Sequence, residues 1–336
     1  MEVTTVGLDL AKHVFQVHAV DAAGNVVLKK RLQRNQVPTF FAGLKPCLVG
    51  MEACATAHFW ARQLHELGHE VRLMPAQYVK AYLRRGKNDA ADAAAICEAV
   101  TRPSMRFVPV KGEAQQAALM LHRVRDLLVR QRTQLINAIR GHLAEFGIVE
   151  AQGPWNVARL LAAMEEVADL PDLARELVRL LAGQLEEVER RVKEVDARIL
   201  AWHKADAVSR RLATIPGIGP LAATAIAATV PDPAAFRSGR EFAAWLGLVP
   251  RQNSTGGKAR LGRISRQGDA YIRRLLVIGA QSVLRCSKAA RSNPWIQGLL
   301  AKRPRLVVAV ALANKTARIA WAVMARQTTY RITAAA

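Results

Sequence analysis

Residues 3–11, VTTVGLDLA, read as a β-strand of β-branched and apolar residues with one carboxylate, Asp9, set inside it. An ionised side chain in an apolar strand is costly to bury unless a partner or a cation compensates it. HVFQVHAVD and VVLKKRLQ continue the β pattern across Gly24-Asn25, a hairpin signal. A short helix PTFFAGL, a strand CLVGME, a helix HFWARQLHELG, a strand EVRLMPA and one more helix follow. Three strands and then alternating helix and strand predict an α/β domain with a mixed sheet over residues 1–110.

Working outward from Asp9, two further places put acids where the pattern is structured. Glu52 closes the strand LVGME, and Asp89 and Asp92 open the helix in KNDAADAAAI, where the i, i+3 spacing sets them on one face. Each acid has a plainer reading taken singly: Asp89 as a helix N-terminal residue favoured by the dipole, Glu52 as a cap, Asp9 as a turn residue. Together they form a set of hard oxygen ligands suited to two Mg²⁺ ions about 3.5–4 Å apart, one activating a nucleophile and the other stabilising a leaving oxygen.

The whole chain of 336 residues is 51% hydrophobic, which argues for folded structure, and carries a net charge of +22. That balance implies a polyanionic partner, with nucleic acid favoured over an anionic membrane surface. The charge is uneven. Residues 1–110 hold 14 basic and 9 acidic side chains, residues 111–205 hold 14 of each, and residues 206–336 hold 21 and 4, so the last third is the expected electrostatic footprint. The most apolar stretch, LVVAVALANKTARIAWAV, is interrupted by Asn314, Lys315 and Arg318 and reads as a buried helix with a polar stripe rather than a membrane span. The N-terminus lacks the pattern of a signal peptide. Cys47, Cys54, Cys97 and Cys286 form no C-x-x-C pair and read as reduced thiols of a cytoplasmic protein.

Residues 111–205 are expected to be helical, and to space or oligomerise the two ends. In the second long helix Leu177, Leu181, Gln184, Val188, Val192, Val195 and Ile199 recur in steps of three and four, a coiled-coil seam. An antiparallel hairpin within the chain and a coiled coil between chains both satisfy it.

Residues 206–330 read as a basic helical domain. IPGIGPLAATAIAA has the form helix, Gly-x-Gly turn, helix; Gly217 and Gly219 would let the backbone approach a phosphate, as in a helix-hairpin-helix element, or would simply allow a tight interhelical turn. Further on, RQNSTGGKARLGR, Arg251–Arg263, places Ser254 and Thr255 before two glycines that permit a turn with N–H groups facing a phosphate. Arg251, Lys258, Arg260, Arg263 and Arg266 are the basic side chains expected to hold nucleic acid there. No histidine stands nearby in sequence as a base, so a hydrolase triad is excluded at this level. A turn in a basic RNA-binding loop is the plainer reading.

GLDLAK, GMEAC and KNDAADA, in that order, together with the helical middle, the PGIGP segment and RQNSTGGKARLGR, resemble the transposases of insertion-sequence family 110, and group 1111 in particular. The resemblance spans essentially the whole chain. It implies a RuvC-like, ribonuclease-H-like first domain whose D-E-D-D tetrad corresponds to Asp9, Glu52, Asp89 and Asp92. It also implies an essential serine in the basic domain, acting beside the tetrad through a covalent phosphoserine intermediate without net hydrolysis. A noncoding bridge RNA that pairs with donor and target DNA, a dimeric or tetrameric assembly, and a place at the bacterial nucleoid are implied by the resemblance alone. The residue directly before the glycines is Thr255 rather than serine. A primary alcohol is less crowded than a β-branched one, which favours Ser254. The alternative activity is a metal-dependent junction nuclease whose serine loop only binds phosphate.

Overall fold

The computed structural model describes residues 2–83, 88–258, 260–287 and 292–331; Lys87 of the KNDAADA motif and Ala259 of the basic stretch lie outside them. The chain divides into two compact units, one of residues 1–115 with 230–237, the other of residues 116–229 with 238–336. The helical middle and most of the basic third thus fall in one unit.

The first unit runs β1 (Thr5–Asp9), β2 (Val14–Val20), β3 (Val26–Gln33), α1 (Val37–Ala42), β4 (Leu48–Glu52), α2 (Ala57–Glu66), β5 (Glu70–Met74), α3 (Ala76–Val79) and α4 (Asp89–Val100). The five strands form one mixed sheet in the order β3-β2-β1-β4-β5. β1 is antiparallel to β2, with Leu8 opposite Val17, and parallel to β4, with Leu8 opposite Met51. The expected mixed sheet is therefore present. Strict alternation in β2 buries Phe15, Val17 and Ala19, while β3 presents Lys29, Lys30 and Arg31 at the sheet edge, where charge discourages further strand pairing. Val6, Leu8, Val49, Met51, Leu64 and Leu73 fill the core, and the Phe15 and Trp60 rings meet edge-on at 5.3 Å.

The second unit contains α5 (Glu113–Ala144), which starts at the unit boundary, α6 (Val157–Glu166), α7 (Asp172–Ala205), α8 (Ala207–Leu212), α9 (Pro220–Thr229), α10 (Gly239–Trp245), β6 (Pro250–Gln252), β7 (Leu261–Ile264), α11 (Ala270–Cys286), α12 (Pro294–Leu300) and α13 (Arg305–Arg326). α5 and α7 form an antiparallel hairpin: Arg125 pairs with Asp196 near one end, while Ile136, Ile139 and Leu143 share a core with Val178 and Leu185 further along. Five of the seven expected seam residues, Leu181, Val188, Val192, Val195 and Ile199, are buried or half-buried, and the first heptad is shifted by one residue. The buried residues of α7 are Val178, Leu185, Val192 and Ile199, one every seven residues, while Leu177 is 52% exposed and Gln184 faces solvent. Leu177 and Val178 each begin an apolar stripe, and the one that meets α5 and α6 is buried; sequence spacing does not choose between them.

The basic third is not wholly helical, because β6 and β7 form an antiparallel hairpin. Neither arm alternates apolar and polar residues, so the period-2 signal of a strand is absent. By length and composition α13 is apolar enough to cross a membrane. Its residues Val308, Ala309, Ala313, Thr316, Ala317 and Ala320 are buried in the second unit, in keeping with the expected core helix.

Candidate functional site

The C-terminal ends of β1 and β4, adjacent and parallel at the centre of the sheet, place Asp9 and Glu52 side by side one residue beyond the paired Leu8 and Met51. α4 lies directly over them because Gly7 has no side chain: a Cβ there would lie 2.1 Å from the Ala93 carbonyl oxygen and 2.5 Å from the Cys97 nitrogen. Gly50 makes the same allowance for Val100. The helix starts at Asn88, whose side chain accepts a 2.7 Å hydrogen bond from the Ala91 N–H. Its first turn then carries Asp89 and Asp92 over the sheet edge. One oxygen each from Asp9, Asp89 and Asp92 can be chosen so that all lie within 4.8 Å of one another.

Glu52 stands outside that tightest group but within its field. Burial, and then the negative charges of Asp92, Glu52 and Asp89, push the Asp9 carboxyl up to about 6. Burial and then Asp92 raise Glu52 as well. Among the described residues no cationic side chain offsets these partly buried, mutually repelling carboxylates. Hard oxygen ligands at this spacing fit a divalent cation.

In the second unit Arg251–Arg263 forms the tip and arms of the β6–β7 hairpin. The Asn253 N–H donates to the Arg260 carbonyl at 2.9 Å and the Lys258 N–H to the Thr255 carbonyl at 3.0 Å, leaving Gly256 and Gly257 as a two-residue loop. Both glycines have positive φ, 56° and 76°, which the tightest hairpin turns require. Ser254 and Thr255 are exposed neighbours between β6 and the glycine loop. The Ser254 Oγ accepts a 3.1 Å hydrogen bond from the Arg260 N–H. Arg251, Lys258, Arg260, Arg263 and Arg266 are all exposed around the hairpin. Arg266 also holds a left-handed backbone, φ 57°, at the hairpin's base, where its N–H donates to the Gly247 carbonyl at 3.1 Å. A non-glycine residue kept there is a local strain that its surroundings must hold.

The two glycines of the PGIGP turn differ. Gly217, with φ 88°, packs against α11, where a Cβ on Gly279 would lie 1.9 Å from the Gly217 carbonyl; Gly219 has nothing within 4 Å of where its Cβ would be. Packing alone accounts for the first glycine, and only the second leaves room for an approaching ligand.

Residues 6–148 match a family model of DEDD transposases of the IS110 type, described as "Transposase", and residues 209–294 match the model described as "Transposase IS116/IS110/IS902 family". The chain belongs to the IS110 family of transposases. It is 52% identical over 338 residues to a "Probable family 20 transposase" of Pseudomonas aeruginosa, covering 98% of this chain and 99% of that protein. It is 44% identical to the transposase for insertion sequence element IS1328 of Yersinia enterocolitica, covering 98% of each, and 39% identical to that for IS1111A of Coxiella burnetii, covering 98% and 92%. An IS110-family chain is a transposase of an insertion sequence, a DNA-processing enzyme with DNA as its partner, and its DEDD character suggests dependence on a divalent metal.

Sequence reasoning passed over Gly7, Gly50 and Asn88, the residues that bring α4 to the sheet. Asn88 ahead of an acidic first turn was a legible cap signal, whereas Gly7 and Gly50 acquire meaning only once the helix is laid on the strands.

Proposed function

We propose that this IS110-family transposase exchanges DNA strands with the Ser254 hydroxyl as nucleophile and Asp9, Glu52, Asp89 and Asp92 as the ligands of two Mg²⁺ ions. The observation that carries the reading is the meeting of Asp9, Asp89 and Asp92 at one point above the central strands, inside the segment that matches the DEDD transposases. When bound, the cations supply charge neutralisation at the scissile phosphate and lower the cost of deprotonating a hydroxyl. The Ser254 Oγ–P bond forms as a P–O bond of the strand breaks, and a hydroxyl end of a second strand reverses the step. Serine is regenerated and no phosphodiester is hydrolysed. Arg251, Lys258, Arg260, Arg263 and Arg266, with the turn N–H groups of the hairpin, hold phosphates, and the open Gly219 end of PGIGP offers a further backbone contact of helix-hairpin-helix type.

The first domain, 1–110, then acts as a RuvC-like metal domain, residues 111–205 as a spacer that also supports a homodimer or tetramer, and residues 206–330 as the serine domain. A bridge RNA supplies sequence choice by base pairing, and the protein works in the cytoplasm at nucleoid DNA. The bond from the Arg260 N–H to the Ser254 Oγ favours a second reading, in which the hydroxyl only braces the hairpin and the carboxylates drive a junction nuclease.

The deciding experiment traps the protein–DNA adduct and maps the modified residue, comparing Ser254→Ala with Thr255→Ala. Loss of both adduct and joining in Ser254→Ala, with DNA binding intact, is expected. Joining at the normal rate in Ser254→Ala would overturn the serine assignment and leave the nuclease reading.

A further inference from the structure

α13 buries one face in the core and leaves further apolar side chains outside it. Val308, Ala309, Ala313, Ala317 and Ala320 are buried, whereas Leu306 and Val307 are 60% and 51% exposed. Val310, Ile319 and Trp321 of α13 line a cleft of about 1520 Å³ within the second unit. Gly262, Arg263 and Ile264 of the serine hairpin and Trp295 of α12, 40% exposed, also line it. The cleft is thus continuous with the hairpin that carries Ser254.

Its charge identifies the occupant. Arg240, Arg263, Arg266, Lys315 and Arg318 line it and are exposed; among the described residues no carboxylate lines it and no ion pair joins any of the five to an acid. The Lys315 Nζ lies 4.6 Å from the centroid of the Trp295 ring, holding a cation beside an indole. A second copy of so basic a chain would add repulsion, and an uncharged apolar partner would leave five cations unmatched. Duplex DNA offers phosphates but keeps its bases stacked inside. An unpaired strand offers both features the cleft needs, flat apolar bases for its apolar side chains and phosphates for its cations.

We propose that this cleft takes unpaired nucleotides of the DNA strand beside the serine hairpin, with bases packed against Trp295 and the apolar side chains of α13 and phosphates on the surrounding cations. The inference rests on the strand-exchange reading for its occupant, since exchange demands strands separated near the cut, but its test involves no catalysis.

The test measures fluorescence anisotropy of the full chain with three labelled single strands of equal length: DNA, RNA, and DNA without bases. Trp295→Ala is expected to weaken binding of base-bearing DNA about tenfold, the scale of losing one base–aromatic stack, while leaving the abasic strand unaffected. Trp295→Phe, which keeps a ring, should restore most of the affinity, and Arg318→Ala should weaken both DNA strands alike. Equal loss for base-bearing and abasic strands in Trp295→Ala, or no loss in either, overturns the proposal. A loss confined to RNA overturns the DNA assignment, and unchanged oligonucleotide binding with a shift in sedimentation to a smaller species reassigns the cleft to a second copy. Persistence of joining in Ser254→Ala would sink the serine assignment without touching these binding results.

Discussion

The carboxylate cluster and the serine hairpin are built by opposite means. Asp9 and Glu52 end the two central strands of a filled sheet, and α4 presses on them so closely that a methyl group on Gly7 has no room. Ser254 and Thr255 stand on an exposed arm closed by two glycines with open space around them. The first site borrows rigidity from a core, which keeps three carboxylates within a few ångströms of one another. The second presents cations at the surface on a hairpin held by main-chain hydrogen bonds and by the bond from the Arg260 N–H to the Ser254 Oγ.

Substitutions can break this contrast, and the largest effect is expected at the cluster itself. Asp9→Asn and Asp92→Asn should each abolish cation-dependent strand joining, with a loss exceeding the roughly 10–100-fold typical of outer-shell partners of a metal, while the chain stays folded. Retained joining in both, measured with a labelled donor–target pair, would remove the cluster from the chemistry.

Gly7→Ala should come next. Forcing a Cβ against the Ala93 carbonyl moves α4 or strains β1, at about 1–3 kcal/mol of stability, and should weaken cation binding by calorimetry in parallel. Gly256→Ala faces open space and meets only the penalty of a left-handed turn, so it should lower joining with a smaller change in Tm. Equal Tm losses in the two variants would mean that the hairpin is as embedded as the cluster.

The units also answer pH in opposite senses. In the first, without metal, Asp9 binds its proton more tightly folded than unfolded, so it favours folding increasingly as pH falls through about 6 toward 4; a bound cation should cancel the trend. In the second, His122 is buried beside Tyr271, with its Nδ1 3.2 Å from the hydroxyl, and burial pushes it down to about 4. The unfolded chain takes up the proton first, so this stability is present above about 6.5 and lost as pH falls toward 4, by at most about 3 kcal/mol. Urea unfolding of His122→Gln across this range should give the flatter profile. The smallest effect is expected on the exposed flank of α7, where Glu187 meets Arg190 and Arg191: Glu187→Gln should leave Tm unchanged, because the apolar seam holds the helical hairpin.

The order of strands and helices in the first unit was legible because alternation in β2 and the acids at strand ends are local signals. The start of the α7 seam was not, since Leu177 and Val178 offer equivalent spacing until α5 and α6 cover one of them. The hairpin of the basic third escaped for a related reason: its arms bury nothing and leave no alternation to read, although its glycine pair was visible.

The sequence alone determined the mixed sheet, the helical middle, the charge gradient toward the C-terminus, and the identity of four acids and two hydroxyls worth watching, because composition and period are properties of neighbours along the chain. Tertiary structure alone decided that three of those acids meet at one point with Glu52 just beyond, that Gly217 is occupied by packing while Gly219 is open, that the Ser254 Oγ is bonded by the Arg260 N–H across the hairpin, and that α13 lines a cleft beside that hairpin. Each of these depends on which surfaces approach across long sequence separations, and that is settled by how side-chain volumes fill a shared interior rather than by any local preference.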